Sequence, residues 1–296
     1  MNRTAVVTGG AGGLGLVTAR HLVEEGMDVV LVGRDRARTA AAVEAVYGPA
    51  RRGAPTAPGR VYTADLSRWS QVRHLASELA ADGVRVDVLI NNAGAAYPRY
   101  EQTPDGVERT HAINHVAPFL LTHTLLAAGA FAEHARIVNI ASSVARRGGL
   151  DPREPDVTGT SRGGRRYSQL HVYGTSKLVG LLATMELARR LPVGMRAYNA
   201  DPGMVKNGFN TNSGGLMRLT GPLFRPFAIT PDEGVRPACS LATARTAPEP
   251  NGGYFTGAGP VAPPSRLSRE PALARGVYEA TASLLGVEPL PVRERA

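Results

Sequence analysis

Short runs of aliphatic and β-branched residues alternate with amphipathic stretches along most of this chain. Ala5-Val6-Val7 reads as a strand, Leu14 to Glu25 as a helix stopped by Gly26, and Asp28 to Val32 as a second strand. Further strands are predicted at Val61 to Ala64, Val86 to Ile90, Arg136 to Ile140 and Met195 to Ala200, and Gly253-Tyr254-Phe255 opens a seventh. Helical periodicity covers residues 36–47, 69–81, 105–127 and 168–191, the last ending before Pro192. Strict strand–helix alternation implies parallel pairing through right-handed crossovers. The expected fold is α/β: a Rossmann-type, doubly wound parallel sheet of about seven strands with helices on both faces. No repeat or shift in composition divides the 296 residues, so a single domain over 1–296 is expected. Two stretches break the alternation. Residues 146–166 are a polar insertion rich in Arg and Gly, and residues 203–230 mix Gly and Pro with large apolar side chains, as a lid over a lipophilic substrate would.

Composition narrows the function classes. A hydrophobic content of 43% with 20% charged residues fits an ordinary globular protein. No apolar run reaches the ~18 residues that span a bilayer, and the N-terminus shows no signal region, so a cytoplasmic protein without a membrane span is expected. A single cysteine, Cys239, excludes an internal disulfide and cannot build a metal site by itself. The net charge of +9 is carried almost wholly by arginines, several of which cluster in Gly- and Pro-rich stretches at Arg51-Arg52, Arg146-Arg147 and Arg162 to Arg166. No aromatic residues alternate with them, which argues against nucleic acid as a partner.

Only two of the 34 Lys+Arg residues are lysines, and one, Lys177, follows Tyr173 by four positions in Tyr173-Gly174-Thr175-Ser176-Lys177. On a helix that spacing puts both side chains on one face. A cation ~5 Å from a phenol, at an effective dielectric of ~20, favours phenolate by ~3 kcal/mol, or roughly two pK units. The pair therefore reads as a proton-transfer device.

Directly after the first strand comes Thr8-Gly9-Gly10-Ala11-Gly12-Gly13-Leu14-Gly15. A glycine turn between a strand and a helix lets the backbone approach a pyrophosphate, which the helix N-terminus then binds. The second strand ends Val32-Gly33-Arg34-Asp35. The acid that NAD-preferring folds place there against the ribose falls most simply on Gly33, with Arg34 next, available to a 2′-phosphate. NADP(H) is the expected cofactor in preference to NAD(H); the competing reading makes Asp35 the ribose ligand.

These motifs together resemble the short-chain dehydrogenase/reductase family. The resemblance rests on the glycine turn, Asp65-Leu66, Asn91-Asn92-Ala93-Gly94, Asn114, Ser142, Tyr173 with Lys177, and Pro202-Gly203, in the family's order. Ile113-Asn114-His115, Phe119-Leu120-Leu121-Thr122, Ile137-Val138-Asn139-Ile140 and Tyr173 to Leu178 resemble the retinol-dehydrogenase-like branch. The resemblance implies a catalytic set of Asn114, Ser142, Tyr173 and Lys177. Ser143 competes with Ser142 for its role, and the strand register favours Ser142. It implies a cofactor site built from Gly9, Gly12, Gly13, Leu14, Gly15, Arg34, Asp65, Leu66, Asn92, Ala93, Gly94, Tyr173, Lys177, Pro202, Gly203, Val205 and Asn207. Asn207 stands where the family often has a threonine. Asp65 also reads as a simple turn or cap carboxylate, Asn114 as a locally satisfied core amide, and Lys206 as a surface residue. The implied activity is NADP(H)-dependent interconversion of carbonyl and alcohol on a hydrophobic small molecule, as in tailoring reductases of secondary metabolism. The implied assembly is a homodimer or homotetramer. The rivals are a redox-neutral enzyme on the same scaffold (a dehydratase, epimerase or cyclase) and a catalytically silent cofactor-sensing protein.

Overall fold

The computed structural model describes residues 2–48, 60–163, 167–206 and 228–293. β1 (Thr4–Thr8), α1 (Gly13–Glu24), β2 (Asp28–Gly33), α2 (Arg36–Tyr47), β3 (Val61–Thr63), α3 (Trp69–Ala81) and β4 (Val86–Asn91) follow one another in the expected alternation. A short α4 (Arg109–His111) runs through a π-turn at Ala112–Val116 into α5 (Ala117–Ala127), and β5 (Phe131–Ile140) follows. After the insertion come α6 (Gln169–Arg190), β6 (Arg196–Ala200), α7 (Pro231–Thr243), β7 (Tyr254–Thr256), β8 (Gly259–Val261) and α8 (Pro271–Leu285).

The sheet has eight strands in the order β3-β2-β1-β4-β5-β6-β7-β8. Every described pairing is parallel except β7 with β8. The eighth strand is the addition to the expected count. It is three residues long, contains Pro260 and is partly exposed, so it carries no alternation signal. The sequence pattern also assigns neither α7 nor α8. Gly234 and Pro237 blur α7, whereas α8 carries a readable apolar stripe through Leu273, Val277, Tyr278 and Leu285.

Both faces of the sheet are covered, so successive strand residues are buried alternately above and below it. Val6 packs into the layer of α3, α5, α6 and α8. Ala5 and Val7 pack into the opposite layer, with α1, α2 and α7. From β1 the winding moves outward through β2 and β3, then returns past β1 to β4 and runs the other way. That reversal opens a crevice beyond the C-terminal ends of β1 and β4.

The described part of the insertion is docked. Glu108 N–H donates to Thr158 O at 2.9 Å. The buried Glu108 carboxylate accepts from His111 N–H and Thr110 Oγ1, each at 3.0 Å. Beyond the insertion, Tyr167 Oη donates to Tyr97 O at 2.6 Å, and Gln169 Nε2 to Ala96 O at 3.1 Å. Within the insertion, Asp156 collects Thr158 N–H, Thr158 Oγ1, Gly159 N–H and Ser161 N–H at 2.7–3.0 Å. Burial pushes the Asp156 carboxyl up, but the bonds from Ser161 and Thr158 outweigh it and hold it down to about 2. A carboxylate depressed below its unfolded value of ~3.9 contributes stability that is full above that pH and is lost as pH falls through the folded value. Urea midpoints of the wild type should therefore drop between pH 4 and pH 2 more steeply than those of Asp156→Asn. Parallel curves would show that the cluster does not tie the insertion down.

Candidate active site

At the end of β1 the chain turns through the glycines, and Gly12 caps α1 with no side-chain bond. Its first N–H groups are thus open to an anion. Leu14 is the second residue of that helix. The turn is stitched to the end of β4: Asn92 Nδ2 donates to Thr8 O at 2.9 Å, and Ala93 N–H donates to Thr8 Oγ1 at 3.1 Å. A Cβ on Gly15 would collide with Gly9 O and lie 2.5 Å from Asn92 Nδ2. The closeness of these two turns is what excludes a side chain at that position. This open cradle of backbone donors between β1 and β4 fits a dinucleotide's pyrophosphate.

The rim beyond β2 is basic. A Cβ on Gly33 would run into Thr39 Oγ1, so the position expected to carry an acid is sterically closed. Asp35 caps α2, its carboxylate accepting from Arg38 N–H at 2.8 Å, which commits it to the helix. Arg34 is exposed and acts electrostatically on Asp65. Asp65 accepts from Ser67 N–H at 3.0 Å and Ser67 Oγ at 2.7 Å and faces Arg68 at 3.7 Å. Burial raises its carboxyl, and the Ser67 bonds with the two arginines bring it net below its ordinary value. Leu66 packs its side chain into the core, leaving only its backbone for the crevice.

Deeper in the crevice, Ser142, Tyr173, Lys177 and Asn114 converge. Ser142, just past β5, acts on the Tyr173 phenol and lowers its pKa, and its Oγ accepts from Val144 N–H at 3.3 Å. Lys177 Nζ lies 5.9 Å from the Tyr173 ring centroid and donates to Ile140 O at 2.8 Å. Asn114 sits in the π-turn, a local widening that often accompanies functional positions. Its Nδ2 donates to Ala95 O at 2.8 Å and Ser176 Oγ at 2.9 Å, and its Oδ1 accepts from Ala95 N–H at 2.8 Å. The amide therefore clamps the turn after Gly94 onto α6. A Cβ on Gly94 would come within 3.3 Å of Asn114 Oδ1 and 3.6 Å of Lys177 Nζ.

The electrostatics correct one expectation. The pair was predicted to favour phenolate, but burial pushes the Tyr173 phenol up, with only Ser142 pulling it down. Burial also lowers Lys177, to about 8. Desolvation penalises whichever form is charged, and here it outweighs the attraction reckoned at half-exposed dielectric.

Asp201 was missed by the motif reading, and so was its partner Tyr254. The carboxylate is only 4% exposed. Oδ1 accepts from Gly203 N–H at 2.8 Å, and Oδ2 accepts from the Tyr254 hydroxyl. The available signal was an acid immediately after the predicted strand Met195 to Ala200. Pro202 and Gly203 follow, and Val205 bridges to Ile229. Asn207 lies outside the described residues, as do 164–166 of the insertion and 207–227 of the expected lid. Among the described residues no cluster of His, Cys, Asp and Glu could hold a metal ion, and no helix is long and apolar enough to cross a membrane.

Gly15→Ala tests the cradle directly. Overpacking of this kind costs ~1–3 kcal/mol. NADPH fluorescence titration of the folded variant should show binding weakened by about tenfold or more, and unchanged affinity would mean that the cofactor does not enter between these turns.

Known proteins were compared with this chain. The sequence profile of the short chain dehydrogenase family matches residues 3–151. Mouse retinol dehydrogenase 12 is 32% identical over 287 residues, covering 97% of this chain and 87% of that protein. A Streptomyces protein (strain C5), named "Putative daunorubicin C-13 ketoreductase DnrU", is 32% identical over 287 residues, covering 96% and 93%. Among solved structures, an uncharacterised protein from Mycobacterium paratuberculosis superimposes with a TM-score of 0.74 at 30% identity, covering 97% of this chain and 95% of that one. A blue fluorescent protein from a metagenomic library, solved with NADPH, gives a TM-score of 0.63 at 26% identity, covering 86% and 95%. With the glycine cradle, the serine–tyrosine–lysine convergence and these relatives in agreement, the chain belongs to the short-chain dehydrogenase/reductase family, in its retinol-dehydrogenase-like branch.

Proposed function

We propose that this protein is an NADP(H)-dependent oxidoreductase that interconverts a carbonyl and an alcohol on a hydrophobic small molecule. The observation that carries the reading is the convergence of Tyr173 and Lys177 on one face of α6, the ammonium 5.9 Å from the phenol ring centroid, at the end of β5 where Ser142 stands. A bound nicotinamide supplies or accepts the hydride. Tyr173 gives its proton to the oxygen of the substrate carbonyl, and Ser142 donates a hydrogen bond to that same oxygen as charge develops there. Lys177, held by Ile140 O, keeps a positive charge beside the phenol while it loses its proton. Asn114 fixes the Ala95 turn against α6 and so keeps the crevice floor and the lysine in register. In alcohol oxidation the proton moves the other way and Tyr173 is the base.

The preference for NADP(H) rests on Arg34, on the closed Gly33 position and on Asp35 being committed to its cap. Gly9, Gly12, Gly13, Leu14 and Gly15 would hold the pyrophosphate, Asn92, Ala93 and Gly94 would line the floor, and Asp65 with Leu66 the adenine side. Pro202, Gly203 and Val205 would border the nicotinamide end. The preference for a hydrophobic substrate rests on exposed Met204 and Ile229 at the crevice mouth and on the kinds of substrate that the relatives' names specify.

Tyr173→Phe should lose about 10²–10⁴-fold in turnover while NADPH affinity stays within a few-fold of wild type. A screen of NADPH oxidation across hydrophobic ketones and aldehydes supplies the assay, and a Phe variant with near wild-type rates sinks this scheme. Arg34→Ala removes a charge-assisted contact worth ~1.5–3 kcal/mol. Its affinity for NADPH should fall by roughly ten- to a hundredfold with NADH affinity unchanged; equal losses for both cofactors would remove the 2′-phosphate argument.

A further inference from the structure

Asp201 is a buried carboxylate that the scheme above leaves without a task. It stands one residue past β6, where Ala200 O accepts from Ala141 N–H at 2.8 Å beside Ser142, and where Asp201 N–H donates to Phe255 O at 2.8 Å on β7. The three strand ends thus fix its backbone at the floor of the crevice. Its side chain is fixed as well, by Gly203 N–H on one oxygen and the Tyr254 hydroxyl on the other. Ala200, the residue before it, pairs with Ile140, whose carbonyl accepts from Lys177 Nζ at 2.8 Å; among the described residues, the titratable groups on which its charge acts are Tyr254 from β7 and Tyr173 and Lys177 from α6, with Arg146 from the turn after β5 acting on Tyr254.

We propose that Asp201 is a positioning residue whose oriented negative charge holds the Tyr173–Lys177 pair in its proton-loaded form, extending the pH range over which the site donates a proton and so reduces a carbonyl. The reading deepens the proposed function and rests on it. The sign follows from Coulomb's law: a fixed anion favours the ammonium over the amine and the phenol over the phenolate, so it retains both protons. The field of Asp201 raises Lys177 and Tyr173 alike, opposing desolvation at the lysine and adding to it at the tyrosine. Neither hydrogen-bond partner neutralises the carboxylate, since one is a backbone amide and the other a phenol that burial and Asp201 itself keep protonated.

The chain offers an unusually clean probe, because it contains only two lysines, Lys177 and the exposed Lys206. Protein grown on lysine carrying ¹³C at Cε should give two titrating NMR signals, with Lys206→Arg assigning them. Asp201→Asn removes the charge while its Oδ1 keeps the acceptor for Gly203 N–H and its Nδ2 can donate to the Tyr254 hydroxyl oxygen. The Lys177 midpoint should then fall by about one unit or more. The pH profiles of kcat/KM should move down with it in both directions, so that reduction fails at lower pH and oxidation begins at lower pH. NADPH affinity should be retained at a pH below both midpoints. Asp201→Ser, whose hydroxyl can also accept from Gly203, covers the case in which the Asn variant does not fold, and should shift the same way. Unmoved Lys177 midpoints and pH profiles in a folded variant overturn the proposal, even if the variant is less stable or slower. A wild type that shows the lysine shift on substitution but oxidises no NADPH with any carbonyl upholds the Asp201–Lys177 coupling and overturns the oxidoreductase reading instead.

Discussion

The desolvation of Lys177 is the constraint around which this site is built. An ammonium taken out of water is costly unless it finds partners, and burial lowers this one to about 8. The carbonyl of Ile140 accepts one of its protons, and the carboxylate of Asp201 acts on it through space. Both partners belong to strand ends, β5 and the residue past β6, while the lysine itself rides on α6. The charge can be held only if the helix and both strands keep their register.

That register is supplied at some distance. α6 is pinned by Asn114 through Ser176, and its start is set by the contacts of Tyr167 and Gln169 with the 96–97 backbone. The same Asn114 amide binds Ala95 both as donor and as acceptor, which ties the floor of the crevice to the helix that carries Tyr173. The glycine turn is joined to that floor through Thr8, Asn92 and Ala93. The glycine turn and the Tyr173–Lys177 pair are therefore parts of one connected backbone network.

Beneath the lysine lies a small cavity of about 30 Å³, bordered by Asn139, Thr184 and Asn199. Asn91, Asn139 and Asn199 are in register on β4, β5 and β6, and Asn91 Nδ2 donates to Asn139 Oδ1 at 2.7 Å. Burying the Asn91 and Asn199 amides in the sheet is unfavourable unless they pair. Two atoms of this ladder, Asn91 Oδ1 and Asn199 Nδ2, have no protein partner among the described residues, and a cavity of this size suits about one water.

Much of this protein was determined by local sequence. Apolar periodicity located β1 to β7 and the helices up to α6, because each segment's pattern must match the face it buries. Glycine spacing located the cradle, because only glycine allows two backbones so close together. The i, i+4 spacing placed Tyr173 and Lys177 on one face of α6. Tertiary structure decided the rest. Whether the phenol leaned toward phenolate or phenol could not be read from two residues, because the answer depends on how much water the fold removes from around them. The commitment of Asp35 to a cap turned on where α2 begins. Asp201 and Tyr254 are 53 residues apart along the chain and meet only because β6 and β7 are neighbours. Electrostatic coupling depends on distance and dielectric in three dimensions, and neither exists until the sheet has formed.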